Sequence, residues 1–298
     1  MSADHPAASR AASSAATPPS PLPSTAAPLG RAPVLLALDT ATERLHLALS
    51  VGQGEAARVS ALDLPGGAQA SAQLLPGLLT LLDQAGLAWP DVAAIAFGAG
   101  PGAFTGLRTA CSVTQGLAMG LNVPVILVDT LMAVAEDARL QAAAGEVADG
   151  DVLWVLQDAR MGELYVAAFT WSATQGWRVH VPAALWPLSE PRRRWADTGA
   201  DTGGDTGAGP QANLAESASV RVCGNAWQAC ASAFEGLSRV RALHPQASPS
   251  GRALAALARQ AWARGECVDP ALALPRYVRD KVAQTTAERQ APSGMMPA

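Results

Sequence analysis

The chain has 298 residues, room for one large domain or two ordinary ones, and is 49% apolar and 15% charged with a formal net charge of −4. That mild acidity offers no basic cluster for an autonomous nucleic-acid surface, and no apolar run reaches the roughly 18 residues needed to cross a bilayer. The four cysteines (Cys111, Cys223, Cys230, Cys267) contain no CxxC pair and read as buried thiols of a reducing, cytoplasmic compartment. The four histidines (His5, His46, His180, His244) never fall at i,i+3 or i,i+4, so no HExxH metal site is expected.

The first 32 residues are mostly Ala, Ser and Pro, lack the apolar core of a secretory signal, and read as a disordered tail. Val34 to Leu38 then forms a buried-strand run ending at Asp39-Thr40-Ala41-Thr42. Leu45, Leu47 and Leu49 alternate with His46, Ala48 and Ser50, so the domain opens with an antiparallel hairpin. His46 in this strand reads as a packing or surface residue. From Leu74 to Ala85 the leucines at 74, 75, 78, 79, 81 and 82 make a helix with a stripe wider than one buried face requires, stopped by Gly86. Pro76 predicts that this helix starts or bends there.

A strand from Val92 to Phe97 runs into Gly98-Ala99-Gly100-Pro101-Gly102-Ala103 and then a helix from about Phe104 to Gly120. A strand, a glycine-rich turn and a helix N-terminus commonly hold an anion, because free N–H groups and the helix dipole point at it. Here Pro101 removes a donor from the middle of the turn, no Gly-Lys-Ser/Thr follows, and the opening hairpin is wrong for a dinucleotide domain. In the helix, Gly106, Ala110, Thr114 and Ala118 recur at i+4 and make a face without large side chains. That face packs either in the chain's own core or against a partner.

After the strand Val123 to Val128, the opening pattern recurs 119 residues downstream. Val152 to Gln157 leads to Asp158-Ala159-Arg160-Met161, and Leu164, Val166 and Ala168 alternate. Asp158 matches Asp39, Leu164 matches Leu45 and Val166 matches Leu47, so a duplicated α/β architecture is expected. Asp39 and Asp158 either face each other as acid, base or metal groups, or each caps its own turn. Three Asp-Thr-Gly triplets between Asp197 and Gly207 lie in a Gly/Ala run and read as a solvated loop insertion. Val220 to Cys223 reads as a strand and Ala226 to Phe234 as a helix. Ser250 caps a last helix carrying Leu254, Leu257, Ala261 and Trp262, ended by Gly265. Arg276 to Arg289 reads as charged surface.

The segments LALDTATERLHLALSVG, AQLLPGLLTLLDQAGL, FGAGPGAFTGLRTACSVTQGLAMGL, PVILVDTL, DARMGELY and DPALALPRYVRDKVA, in order from about Val34 to Ala283, resemble the TsaB family. The members are partner subunits of the bacterial enzyme that makes threonylcarbamoyladenosine in tRNA. The resemblance implies an α/β, actin/Hsp70-like fold of two related lobes, each opening with a β-hairpin. It divides the chain into a tail (1–32), a partner-binding first lobe (33–135), and a second lobe (136–250) with a low-complexity loop (197–219). A C-terminal helix and extension (251–285) and a flexible tail (286–298) follow.

The same resemblance implies a non-catalytic, activating subunit that pairs with TsaD, works with TsaE and meets tRNA only through the complex; alone, the chain is either a monomer or a homodimer. The HxxxH metal motif of TsaD is missing, with Ala70 in the corresponding helix, and Asp39-Thr40-Ala41-Thr42 lacks the glycine of an active nucleotide hairpin. No cofactor of its own is expected, and ATP or ADP would sit at the interface with TsaD. The expected interface is Leu74, Leu75, Leu78, Leu82, Phe104, Gly106, Arg108, Ala110 and Thr114. Asp39, Thr40, Gly100, Gly102 and Asp158 are expected as degenerate nucleotide-loop positions. The competing reading is an actin-fold ATPase or metalloprotease-like enzyme acting alone.

Overall fold

A computed structural model describes residues 32–196 and 219–279. The N-terminal tail up to residue 31, the Asp-Thr-Gly run and the residues after 279 lie outside the described residues. The chain forms two five-stranded mixed sheets of the same topology. In the first, β1 (Val34–Asp39) sits at the centre, antiparallel to β2 (Arg44–Val51), which pairs with β3 (Arg58–Pro65). On its other side β1 runs parallel to β4 (Ala94–Gly98), followed by β5 (Val125–Val128). In the second sheet β6 (Val152–Arg160) takes the place of β1, with β7 (Glu163–Ser172) and β8 (Gly176–Pro187) on one side. Next to it on the other side lie β9 (Val220–Cys223) and β10 (Val240–Ala242). The expected duplication is therefore present, hairpin for hairpin. It is the actin/Hsp70-like arrangement of two α/β lobes.

The period-2 alternation of β1 assigns its two faces. Val34, Leu36 and Leu38 point outward into a cluster with Leu74, Leu78, Leu81 and Leu82 of α1 (Ala70–Gln84) and Ala110, Cys111 and Ala118 of α2 (Phe104–Leu121). Leu35 and Ala37 point inward to α3 (Thr130–Gln141) and α6 (Gly251–Ala263), which lie between the two sheets. The inner face is alanine-rich (Ala37, Ala48, Ala94, Ala96) where the alanines of α6 meet it. Small residues on both sides bring helix and sheet close. The outer face of the second sheet is covered by α4 (Glu190–Trp195) and α5 (Ala226–Ala229), with Trp154, Trp186 and Trp195 stacked together.

Several elements differ from their expected form. Helix α1 begins at Ala70, and Pro76 sits inside it on the exposed side, where loss of its N–H faces solvent. The helix expected over Ala226 to Phe234 is one turn, because Cys230 adopts a non-helical conformation and a short 3-10 turn (Ala231–Ala233) follows. Helix α3 runs across residue 135, where the sequence reading divides the lobes, and it contacts strands of the second sheet. Its Asp137 anchors the start of α6: Ser250 Oγ donates to Oδ1 at 2.5 Å and Ser248 N–H to Oδ2 at 3.0 Å. Ser250 Oγ also accepts from Ala253 N–H, the expected cap.

One buried polar cluster ties helix to sheet, and a half-buried pair joins two strands. Glu136 on α3 is fully buried and accepts from both Nε and Nη2 of Arg139 (2.7 and 2.8 Å) and from Trp177 Nε1 of β8 (2.9 Å). Removing one partner of a buried ionic network strands the rest. Glu136→Ala is therefore expected to lower unfolding free energy by about 3 kcal/mol, read by chemical denaturation; a change near zero would show the cluster to be neutral. His46 is buried in β2 with Nδ1 2.6 Å from Asp63 Oδ1 on β3, so it is a packing residue, not a surface one.

The hydrogen bond from His46 holds the Asp63 carboxyl below its ordinary range, against a rise from partial burial. A carboxyl depressed in the folded state stabilises above its unfolded value, near 3.9, and that contribution disappears as pH falls through the folded value. Asp63→Asn should accordingly lower stability at neutral pH, and the gap from the parent should close on acidification below about pH 4.

Candidate functional site: the cleft between the lobes

The two hairpin turns face each other across a cleft of about 270 Å³ lined by both sheets' ends, the glycine loop and the C-terminal segment. Each turn is closed in the same way. Asp39 Oδ1 accepts from Ala41 N–H at 2.7 Å, and Asp158 Oδ1 from Arg160 N–H at 2.8 Å. Asp39 is fully buried and its Oδ2 also accepts from Thr130 Oγ1 at 3.0 Å. Burial raises its carboxyl above the ordinary range, opposed by nearby His46 and by those hydrogen bonds. Asp158 is less buried; its own N–H donates to Asn225 Oδ1 at 2.8 Å. The turns meet through Arg160 and Glu43, Nη2 to Oε1 at 3.0 Å. Both aspartates thus cap their turns, while the turns do face each other.

The glycine loop enters the cleft between these turns, and backbone fills the space its glycines leave. A Cβ at Gly100 would come within 2.6 Å of the Arg276 carbonyl oxygen, and one at Gly102 within 2.5 Å of Ala41 Cβ. One at Gly106 would overlap the Thr40 carbonyl oxygen, and Thr40 Oγ1 donates to Gly106 O at 2.6 Å. Several N–H groups around the cleft are also engaged. Gly100 N–H donates to Thr130 Oγ1 (3.1 Å), Ala103 N–H to Ala41 O (2.8 Å), and Ala41 and Arg160 N–H to the two aspartates. Pro101 has none. Gly102 N–H and the first three N–H groups of α2 make no hydrogen bond to the described residues, so the loop is closed by packing more than by its donors.

The C-terminal segment is a strap joining the lobes, a role its charged composition hides. Arg276 N–H donates to Ala99 O at 2.6 Å, and Tyr277 stacks on Phe104 with ring centroids 5.1 Å apart. Arg108 lies over the Phe104 ring and donates to Tyr277 Oη at 3.3 Å. On the second lobe, Arg279 Nη2 donates to Glu163 Oε2 (2.5 Å) and to Ala159 O (3.0 Å). Arg279 is far from the surface residue expected from sequence; its side chain is only 13% exposed.

The other expected interface residues divide by burial. Leu74, Leu78 and Leu82 are interior, as are Ala110 and Thr114, so the small-residue face packs on the chain's own sheet. They offer no free surface to a partner. Leu75 remains 44% exposed, with Leu79 at 42% one turn on; Phe104 lines the cleft, and Arg108 is exposed over its ring. Helices α1 and α2 lie side by side over one sheet face and share its core. Among the described residues no three His, Cys, Asp or Glu side chains gather in a metal-binding cluster.

Comparison with known proteins fits this geometry. A family model described as TsaD, tRNA N6-adenosine threonylcarbamoyltransferase, matches residues 67–287. A solved Pseudomonas aeruginosa structure, named YeaZ, is 32% identical with a TM-score of 0.62, covering 82% of this chain and 99% of its own. A second, described as similar to peptidase YeaZ from the same organism, is 33% identical with a TM-score of 0.65, covering 83% and 100%. The chain belongs to the TsaB (YeaZ) family. Proteins named tRNA threonylcarbamoyladenosine biosynthesis protein TsaB are similar in Haemophilus influenzae (39% identity over 133 residues) and Escherichia coli (37% over 135). Those matches cover 44% and 45% of this chain, and the chain spans about half the length of each of these TsaB relatives (51% and 54%).

Within this TsaB-family chain, one helix supplies both a test and its control. Gly106→Ala in α2 places a methyl into backbone and is expected to cost about 2 kcal/mol. Gly116→Ala on the same helix meets open space and should stabilise by about 1 kcal/mol. Equal effects in thermal or urea unfolding would show that the Thr40 contact is not what requires Gly106.

Proposed function

We propose that this chain is a non-catalytic, activating subunit of the assembly that makes N6-threonylcarbamoyladenosine at position 37 of tRNA, pairing with TsaD and working with TsaE. The observation that carries the reading is the packed glycine loop: the space its glycines leave at Gly100, Gly102 and Gly106 is filled by the chain's own atoms, which leaves little room for a phosphate. The family membership supplies the pathway, through relatives named for threonylcarbamoyladenosine biosynthesis and for the transferase. The chain has no cofactor of its own in this reading, and ATP or ADP belongs at the boundary with TsaD. Its place is the cytoplasm, where tRNA is modified.

The surface proposed for pairing is the outer side of α1, where Leu75 and Leu79 are exposed at i,i+4 spacing over a fully packed inner row. Two adjacent exposed leucines on one rigid helix suit an apolar partner surface. Depleting the chain should lower threonylcarbamoyladenosine in total tRNA, measured by nucleoside mass spectrometry; an unchanged level would defeat the reading. Leu75→Asp with Leu79→Asp should weaken co-purification with TsaD at least about tenfold while leaving the chain's own melting temperature nearly unchanged. Normal pairing by that variant would move the interface elsewhere.

A further inference from the structure

The cleft has two ends of different character. The first-lobe end is closed by the glycine loop and the strap. The second-lobe end holds hydrogen-bond donors that the chain leaves unused. Gln157, at the end of β6, is only 8% exposed, and its Nε2 has no partner. A buried amide without a partner is costly, and such a group calls for an explanation. Arg279 Nε is likewise buried and unpartnered, although its Nη2 is bonded. Asn225 uses Oδ1 to accept from Asp158 N–H, which leaves its NH2 as the free side of the amide. Arg160 and Arg276 complete the lining, with side chains 68% and 58% exposed. Three arginines line the cleft, each beside a carboxylate: Arg160 with Glu43 and Asp158, Arg276 with Asp129 at 3.9 Å, and Arg279 with Glu163.

We propose that the second-lobe end of this cleft binds a small oxyanion, a phosphate or carboxylate group on a compact metabolite, held by side chains. Gln157 and Asn225 donate at its base and Arg276 covers it from the strap. Guanidinium and amide donors line this one cleft, and an oxyanion, through charge-assisted bonds, is the ligand that suits them. At about 270 Å³ the space lies just below the range of about 300–1,000 Å³ usual for ligand sites. The glycine-loop end cannot extend it for a triphosphate, because Gly100 already packs on Arg276. The site belongs to the isolated chain and does not depend on pairing with TsaD.

The test is calorimetric titration of the full-length chain with inorganic phosphate, malonate and ATP, ionic strength being held constant with chloride. Saturable binding of phosphate or malonate is expected, with ATP binding no tighter, and whichever small anion responds assigns the group. Arg276→Gln, on a largely exposed side chain, should weaken that binding about tenfold. Gln157→Leu should do the same, with circular dichroism confirming that it folds. No saturable binding by either small anion would overturn the proposal. So would affinity unchanged in Arg276→Gln, or ATP binding more tightly than both.

Discussion

Backbone pressed against backbone at the mouth of the cleft is the constraint on which the arrangement of the lobes depends. Three chain segments meet there: the β1–β2 turn, the glycine loop leading into α2, and the C-terminal strap. At Gly102 and Gly106 the loop and the first turn of α2 lie against Ala41 and Thr40, and at Gly100 the strap lies against the loop. Only residues without Cβ permit such approaches. The contacts are then fixed by hydrogen bonds that cross between segments, from Ala103 to Ala41, Thr40 to Gly106 and Arg276 to Ala99. Because the strap continues to Glu163 and Ala159 on the second lobe, the packing at the loop also sets the width of the cleft.

The same contacts put a loop with the look of a phosphate cradle to a structural use. A cradle needs glycines to admit a ligand's oxygens and N–H groups to bind them. Here the glycines admit carbonyl oxygens and an alanine methyl of the chain itself, and Thr130 and Ala41 accept from the Gly100 and Ala103 N–H groups. Thr130 is also a joint. Its Oγ1 accepts from Gly100 and donates to Asp39, linking loop to hairpin through one buried hydroxyl. An enclosed network of this kind stays satisfied only while each member holds its place.

Much of the fold was legible because it is written in periodicity. Alternation in Leu45 to Ser50 and in Leu164 to Ala168, and the shared aspartate before each, were enough to see two copies of one hairpin. The long edge strand β8 escaped notice because its exposed residues interrupt alternation, as edge positions permit. The small-residue stripe of α2 was visible, but its direction was not: the same spacing suits a core face or an interface, and only the position of β1 and β4 decides that Ala110 and Thr114 point inward. The strap was the least legible part. Its role rests on contacts to Ala99, Phe104 and Glu163, more than 100 residues away in sequence, and composition carries no trace of them.

The leucines of α1 show how the buried and the associating roles share one helix. The outer face of the first sheet accepts Leu74, Leu78, Leu81 and Leu82, and these fill it, each 0–1% exposed. Leu75 and Leu79 fall about 100° further round the helix, beyond the reach of the sheet, so their apolar area remains in water. At about 25 cal/mol per Å², covering that area rewards any partner whose surface is apolar there, and costs this chain nothing in its own core. The inner row therefore serves folding, and the outer pair is not needed for it. The division follows from helix geometry alone, which is why a stripe too wide for one face is the informative feature of that helix.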